Sequence, residues 1–284
     1  MKRTRTLFDL KSSASRLKII LPLVTLLVFS AGLAGCSLQR SGVIRVAGST
    51  TVLPLAQEGA DRFMDMRNGT NILVQGGGSS VGISQLKERI IDIAMSSREL
   101  TADENDGTIM DNRIALDVIA LVVNPGLKIE NLSKQEVKDI FTGNIRNWSE
   151  VGGEDAAIVV VVRDSASGTR QMFDQIALDK EQTISSAIEC NSNGIVRETV
   201  GSTPDSIGYV SLGYVNSLIR AISYDGVVPS EQSGKDGSYP LSRYLHMFTG
   251  PNPKQLAQDF IAYVLSPDFQ SQVVAQDYIP ISEN

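Results

Sequence analysis

Val43-Ile44-Arg45-Val46-Ala47-Gly48-Ser49-Thr50-Thr51 sets the reading of the whole chain. A short apolar run gives way to glycine and hydroxyl residues. Leu53, Leu55, Ala56, Ala60 and Phe63 then recur at three- and four-residue spacing toward Met66, the mark of one apolar helix face. The same grammar returns. Residues 72–74 lead into Gly76-Gly77-Gly78-Ser79-Ser80 and a helix through Leu86 to Arg89. Residues 158–162 lead through Arg163-Asp164-Ser165-Ala166-Ser167-Gly168-Thr169 into a helix through Phe173 and Leu178. A further strand, 91–95, stops at Ser96-Ser97. Strands alternating with helices at this pitch predict an α/β fold with mainly parallel sheets.

Residues 117–123 read as an apolar strand that stops at Asn124-Pro125-Gly126, a turn signal. Residues 133–141 read as a helix with Ser133 as N-cap and Glu136 completing a capping box. Residues 143–153 are loop-like and carry the only tryptophan, Trp148. Strands follow at 207–210 and 244–248, separated by a polar, glycine-rich loop at 229–239. Helices at 253–265 and 268–276 close the chain. Polar breaks near Asn124 and Ser238 flank a middle block. The simplest topology makes residues 43–123 plus 240–284 one lobe and 124–239 a second, joined by two crossovers. A cleft with hinged walls suits capture of a ligand by closure.

The 284 residues carry a formal charge of -6. Residues 1–35 hold six basic side chains and one acid, leaving 20 basic against 31 acidic side chains in the rest. An acidic body argues against a nucleic-acid partner, which needs a basic face. One histidine and two scattered cysteines cannot build a typical structural zinc site. They supply no nucleophile-base machinery unless His246 takes part, and His246 sits in an apolar run that reads as a core strand. No catalytic residue, metal ligand or cofactor is expected.

The beginning of the chain reads as an address. Residues 1–18 are basic, 19–29 are almost wholly apolar, and small residues follow, the order of a secretory signal. The apolar run is shorter than the roughly 20 residues of a spanning helix. Its end, Leu33-Ala34-Gly35-Cys36, resembles the bacterial lipobox. That resemblance implies a signal peptide over 1–35, cleavage before Cys36, acylation of Cys36, and a short polar tether over 36–42. Multiple acyl chains hold firmly where one does not. The expected location is extracytoplasmic, on the membrane surface. Cys190 is then left as a buried free thiol.

The three Gly/Ser/Thr clusters sit where helices begin, at the carboxyl ends of predicted strands. The first turn of a helix leaves N–H groups unpaired and carries partial positive charge. Glycine admits close approach, and serine and threonine add hydroxyl donors. Converging helix starts can satisfy the oxygens of a tetrahedral oxyanion, and strand ends of open α/β sheets are where ligands bind. Arg163 adds a planar fork of donors suited to such oxygens. None of the clusters has the spacing of a nucleotide-phosphate loop.

Taken in order, these stretches resemble the PstS family, the phosphate-binding proteins of high-affinity phosphate ABC transporters. The marks are Gly48-Ser49-Thr50-Thr51, Gly76-Gly77-Gly78-Ser79-Ser80, and Asp92-Ile93-Ala94-Met95-Ser96-Ser97-Arg98. They continue with Ile140-Phe141-Thr142-Gly143, Asn147-Trp148, Arg163 with Ser167-Gly168-Thr169, and Ile207-Gly208-Tyr209-Val210. The resemblance implies the two-lobed type II periplasmic binding protein fold and capture of inorganic phosphate for the permease subunits of a transporter. It implies phosphate contacts at Thr50, Thr51, Ser79, Ser97, Arg163, Ser167, Gly168 and Thr169. A monomer is the default expectation, and the lack of a histidine partner or dense carboxylate cluster leads us to expect no enzymatic activity. Thr51 stands where some members have an aromatic that acts through its backbone. Ser97 stands where some have an aspartate that accepts the proton of phosphate and repels sulfate. Asp164 either supplies that acceptor or pairs with Arg163 or Arg170. A binder of sulfate or molybdate, a phosphate-sensing module, and a phosphate-ester hydrolase are the other readings.

Overall fold

The computed structural model of this protein describes residues 42–281. The expected signal peptide, Cys36 and the tether up to residue 41 lie outside the described residues, and Gly42 already begins the first strand.

The first half of the chain runs β1 (Gly42–Gly48), α1 (Leu53–Met66), β2 (Thr70–Gly76), α2 (Ser79–Lys87) and β3 (Ile93–Ser96). β1 lies between β2 and β3 and is parallel to both. α1 buries Leu55, Ala56, Gly59, Ala60 and Phe63, the stripe legible in its sequence. Pro54 is tolerated because it falls in the first turn, where its missing N–H had no intrahelical partner.

β4 (Met110–Val123) is long and changes partners along its length. Its first part, Met110 to Val118, pairs antiparallel with β10 (Ser242–Thr249). From Ile119 onward it pairs with β8 (Ser206–Ser211) and, from Leu121, with β9 (Arg220–Tyr224). The change of sheet thus falls inside β4, ahead of the Asn124 turn where the sequence reading ends the first lobe. β4 is buried from Asp117 to Val123, on both sides of the crossing, and such a stretch needs no polar break there, so composition does not mark it. The returning chain crosses beside it: Ile119 N donates to Leu241 O at 2.8 Å.

The second half adds β5 (Asn131–Leu132), α3 (Lys134–Thr142), β6 (Val159–Arg163), α4 (Gly168–Ile176), β7 (Ile188–Cys190) and α5 (Asn193–Ser202) before β8. After β9 come α6 (Glu231–Lys235), β10 and α7 (Gln255–Val264). Strand order is β2-β1-β3-β10-β4-β8-β6-β7. Every antiparallel pairing between two of these strands involves β4 or β10, the two crossing strands; the pairings that carry the Gly/Ser/Thr loops are parallel. α3 starts on the expected capping box, Glu136 N donating to Ser133 Oγ and Ser133 N to Glu136 Oε2. β7, α5 and β9 have no counterpart in the sequence reading. β7 is three residues long, and α5 carries two glycines and a mixed surface, which weakens its helical signal. The polar 229–239 stretch contains α6, and the last helical segment is broken by a π turn at Gln270–Val274.

Two main cores correspond to the two sheets. One gathers Phe141, Trp148, Phe173 and Tyr209 with Val118, Ile119, Leu121 and Val123 of β4. The other gathers Phe63, Phe260 and Phe269 with Ile114 and Ala115 of the same strand. In the first, the Phe173 and Tyr209 rings stack with centroids 4.0 Å apart, and Trp148 Nε1 donates to Asp205 O at 2.9 Å. The Tyr209 hydroxyl accepts from Arg163 N at 3.3 Å, tying this core to the end of β6.

Candidate functional site

The loops that end β1, β2, β3 and β6 meet in one buried place. Thr50, Thr51, Ser79, Ser97, Arg163, Ser167 and Thr169 are each at most 8% exposed, and Gly168 is buried with them. Burying this many hydroxyls costs free energy unless each finds a partner, so their partners define the site.

After β1, Ser49 Oγ accepts from Thr51 N at 3.2 Å and shapes the turn. The Thr50 carbonyl accepts from Tyr214 Oη at 2.7 Å and the Thr51 carbonyl from Tyr278 Oη at 2.7 Å. Thr50 Oγ1 is buried and has no hydrogen-bond partner among the described residues. After β2, Gly78 enters α2 at φ 96°, and a Cβ there would lie 2.6 Å from the Ala166 carbonyl oxygen, so glycine is required twice over. Ser79 is the first residue of α2; its Oγ accepts from Ser97 N at 3.1 Å and lies 3.4 Å from Ser97 Oγ. The neighbouring Arg98 holds this loop in place. Its guanidinium is bidentate to Glu104 at 2.6 and 2.7 Å and donates to Ser80 Oγ at 3.0 Å.

From the second sheet, Ser167 caps α4 by accepting from Arg170 N at 3.2 Å, and Gly168 and Thr169 form the first turn. The two lobes are closed on one another at this point. Ser80 N donates to Ala166 O at 3.2 Å, Gln171 Nε2 to Ser80 Oγ at 3.0 Å, and Thr51 Oγ1 lies 3.0 Å from Thr169 Oγ1. The starts of α2 and α4 therefore face each other across Gly168. The Arg163 guanidinium donates to the Cys190 and Asn191 carbonyls at 3.3 and 3.2 Å. Burial pushes its pKa below the ordinary guanidinium value, opposed by the nearby Asp164 carboxylate. Asp164 forms no ion pair with Arg170, which is engaged by Asp174 at 3.4 Å and Glu189 at 2.8 Å; Asp164 Oδ1 is buried without a partner among the described residues.

Four residues at this place carry no local sequence signal. Arg243 of β10 and Asp117 of β4 form an ion pair at 2.8 Å, their side chains 2% and 1% exposed. Burial pushes the Asp117 carboxyl up and the Arg243 guanidinium down, while each charge favours the other. Ser211 Oγ donates to Asp117 at 2.6 Å, and Asn193 Nδ2 to Thr51 Oγ1 at 3.0 Å. A charged residue inside each of two apolar strands was the only hint, and nothing local pairs them across 126 residues.

His246 is fully buried in β10, with Nδ1 2.7 Å from Asp111 Oδ1 and Nε2 3.8 Å from Glu99 Oε1. Glu99, Asp111 and His246 are grouped closely enough for a metal ion, but Arg113 already pairs with the same Glu99 oxygen at 3.1 Å. Cys190 is buried, with Sγ 3.6 Å from Thr199 Oγ1. Among the described residues no helix is long and apolar enough to cross a membrane.

Residues 37–268 match the family model of the PBP superfamily domain. The phosphate-binding protein PstS of Bacillus subtilis is 36% identical over 251 residues, covering 86% of this chain and 83% of its own. The phosphate-binding protein PstS of Borreliella burgdorferi is 32% identical over 84% of this chain and 90% of its own. Among solved structures, a Clostridium perfringens substrate-binding protein with bound phosphate superposes with a TM-score of 0.82 at 31% identity, over 85% of this chain and all of that one. An ABC-type phosphate transport receptor from Vibrio cholerae gives 0.71 at 32% identity, over 83% and 99%.

Proposed function

The chain belongs to the PBP superfamily and, within it, to the PstS phosphate-binding proteins, and on that premise we propose that it captures inorganic phosphate between its lobes and delivers it to an ABC transporter. The observation that carries the reading is the meeting of α2 and α4, start to start, across Gly168, with the buried Arg163 guanidinium at the end of β6. Amides, hydroxyls and one guanidinium are all donors, and an ion rich in acceptor oxygens is what they suit.

In this reading Thr50, Thr51, Ser79, Ser97, Arg163, Ser167, Gly168 and Thr169 replace the water shell of the anion. Thr50 Oγ1, buried and partnerless in the protein, supports its place in that set. Phosphate near neutral pH carries a proton that sulfate lacks. Ser97 Oγ can accept it as well as donate, and the buried, partnerless Asp164 Oδ1 supports a second acceptor. The body of the protein is extracytoplasmic, tied to the membrane through acylated Cys36, and docks as a monomer on permease subunits. We read no hydrolase here: the chain's one histidine is bonded to Asp111 rather than to a hydroxyl of the cleft.

Titration calorimetry with inorganic phosphate tests this. The wild type binds one phosphate, and Arg163→Ala, which removes charge-assisted bonds worth about 1.5–3 kcal/mol each, weakens binding by roughly tenfold or more. Unchanged affinity in that variant overturns the site. Sulfate or molybdate displacing phosphate at equal concentration overturns the choice of ion.

A further inference from the structure

Two threonine hydroxyls and three side chains outside the sequence-read set form one hydrogen-bond network in the closed cleft. Of the two hydrogens on Arg243 Nη2, one goes to Asp117 Oδ2 at 2.8 Å and the other is shared between Thr169 Oγ1 at 3.1 Å and, at the edge of range, Thr51 Oγ1 at 3.5 Å. Asn193 Oδ1 accepts from Ser211 N at 3.2 Å, which fixes the amide so that Nδ2 donates to Thr51 Oγ1 at 3.0 Å. Thr51 Oγ1 and Thr169 Oγ1 lie 3.0 Å apart.

A hydroxyl has one proton and two lone pairs, whereas a guanidinium and an amide nitrogen only donate. Thr51 Oγ1 takes donors from Asn193 and Arg243, so its own proton goes to Thr169 Oγ1. Thr169 Oγ1 then has both lone pairs occupied, by Thr51 and Arg243, and its proton is left to donate elsewhere. The opposite order, Thr169 donating to Thr51, fills the Thr51 lone pairs with Asn193 and Thr169 and excludes its Arg243 contact. Only the first order uses every contact observed.

We propose that Arg243, held by Asp117, and Asn193 are positioning residues that set the proton order Thr51 to Thr169 and so present the Thr169 hydroxyl as a pure donor to an unprotonated oxygen of the bound anion. The inference rests on the phosphate reading of the cleft. It assigns a role to the Thr51 side chain distinct from any contact made by its backbone, and it sends the proton of the ligand to another acceptor in the site.

The test is a set of double-mutant cycles read by calorimetry with inorganic phosphate. Thr169→Val, which keeps the side-chain shape, weakens binding about tenfold, the worth of one charge-assisted bond. Thr51→Val and Arg243→Gln each weaken it by roughly threefold or more in the wild-type background, and by less than about twofold once Thr169 is valine. Losses that simply add, in either cycle, overturn the proposal, because a merely structural or general charge effect persists without the Thr169 hydroxyl. Arg243→Gln leaves Asp117 buried and unpaired; if it does not melt cooperatively, Arg243→Gln with Asp117→Asn takes its place, and the Thr51/Thr169 cycle decides without touching the ion pair. A wild type that does not bind phosphate overturns both readings. A wild type that binds, with Arg163→Ala weakened and the cycles additive, overturns only the proton order.

Discussion

Replacing Gly168 by alanine adds one carbon where the first turn of α4 meets α2. That carbon would lie 2.4 Å from Ser79 Oγ, 2.9 Å from Ser97 Oγ and 3.0 Å from Ser79 Cβ. Non-bonded heavy atoms settle near about 3.5 Å, so the loops must part by roughly 1 Å. Rotating Ser79 does not relieve the contact, since its Cβ stays too close and Ser97 N loses its acceptor at 3.1 Å. Parting the loops takes the Thr51–Thr169 contact at 3.0 Å and the Ser80 N to Ala166 O bond at 3.2 Å out of range. Overpacking costs about 1–3 kcal/mol and each bond about 0.5–1.5 kcal/mol net. A loss of about 2–6 kcal/mol in closure follows, which is roughly 30-fold to more than 10,000-fold in Kd.

The clash exists only between the closed lobes. Gly168 does not have a left-handed backbone conformation, so alanine there stabilises the unliganded chain slightly, by about 0.4–1 kcal/mol. The assay is calorimetry with phosphate, together with thermal melting with and without it. The variant melts no lower than the wild type alone and loses most of the upward shift that phosphate gives. Binding within about twofold of wild type would show that Gly168 and Ser79 do not approach in the liganded state, and that the cleft described here is not the working one.

Two further outcomes are expected. The Glu104 carboxylate is pushed up by burial, but Arg98 and the Thr101 amide outweigh this and hold it below its usual 4.5. A depressed folded pKa stabilises above the unfolded value and is lost as pH falls through the folded one, so the urea midpoint of Glu104→Gln lies below wild type at neutral pH and converges on it below about pH 4; a gap that stays constant assigns the effect to packing instead. Cys36→Ser moves the protein in cells from the membrane to the soluble fraction, and retention on the membrane removes the lipid anchor from the account.

Strand–turn–helix units around Thr50, Ser79 and Ser167 were legible because their signals are local: apolar alternation, glycine, then a helical stripe. The Ser133 capping box was legible for the same reason, since four consecutive residues complete it. β7 and α5 were not, because a three-residue strand and a helix with two glycines leave too little periodicity to separate from loop. Asn193 went unseen with α5, although it is fully buried and bonded to Thr51.

Local sequence was enough to settle most of the strands and helices and the hydroxyl and glycine clusters that cap them, with β7, β9 and α5 among the exceptions. Those outcomes depend on forces acting within a few residues. Only tertiary structure decided that β4 switches sheets at Ile119, that Gly168 closes on Ser79, and that Arg243 meets Asp117 beneath two threonines. Each depends on which distant surfaces exclude water together, and no local pattern encodes the partner of a buried charge.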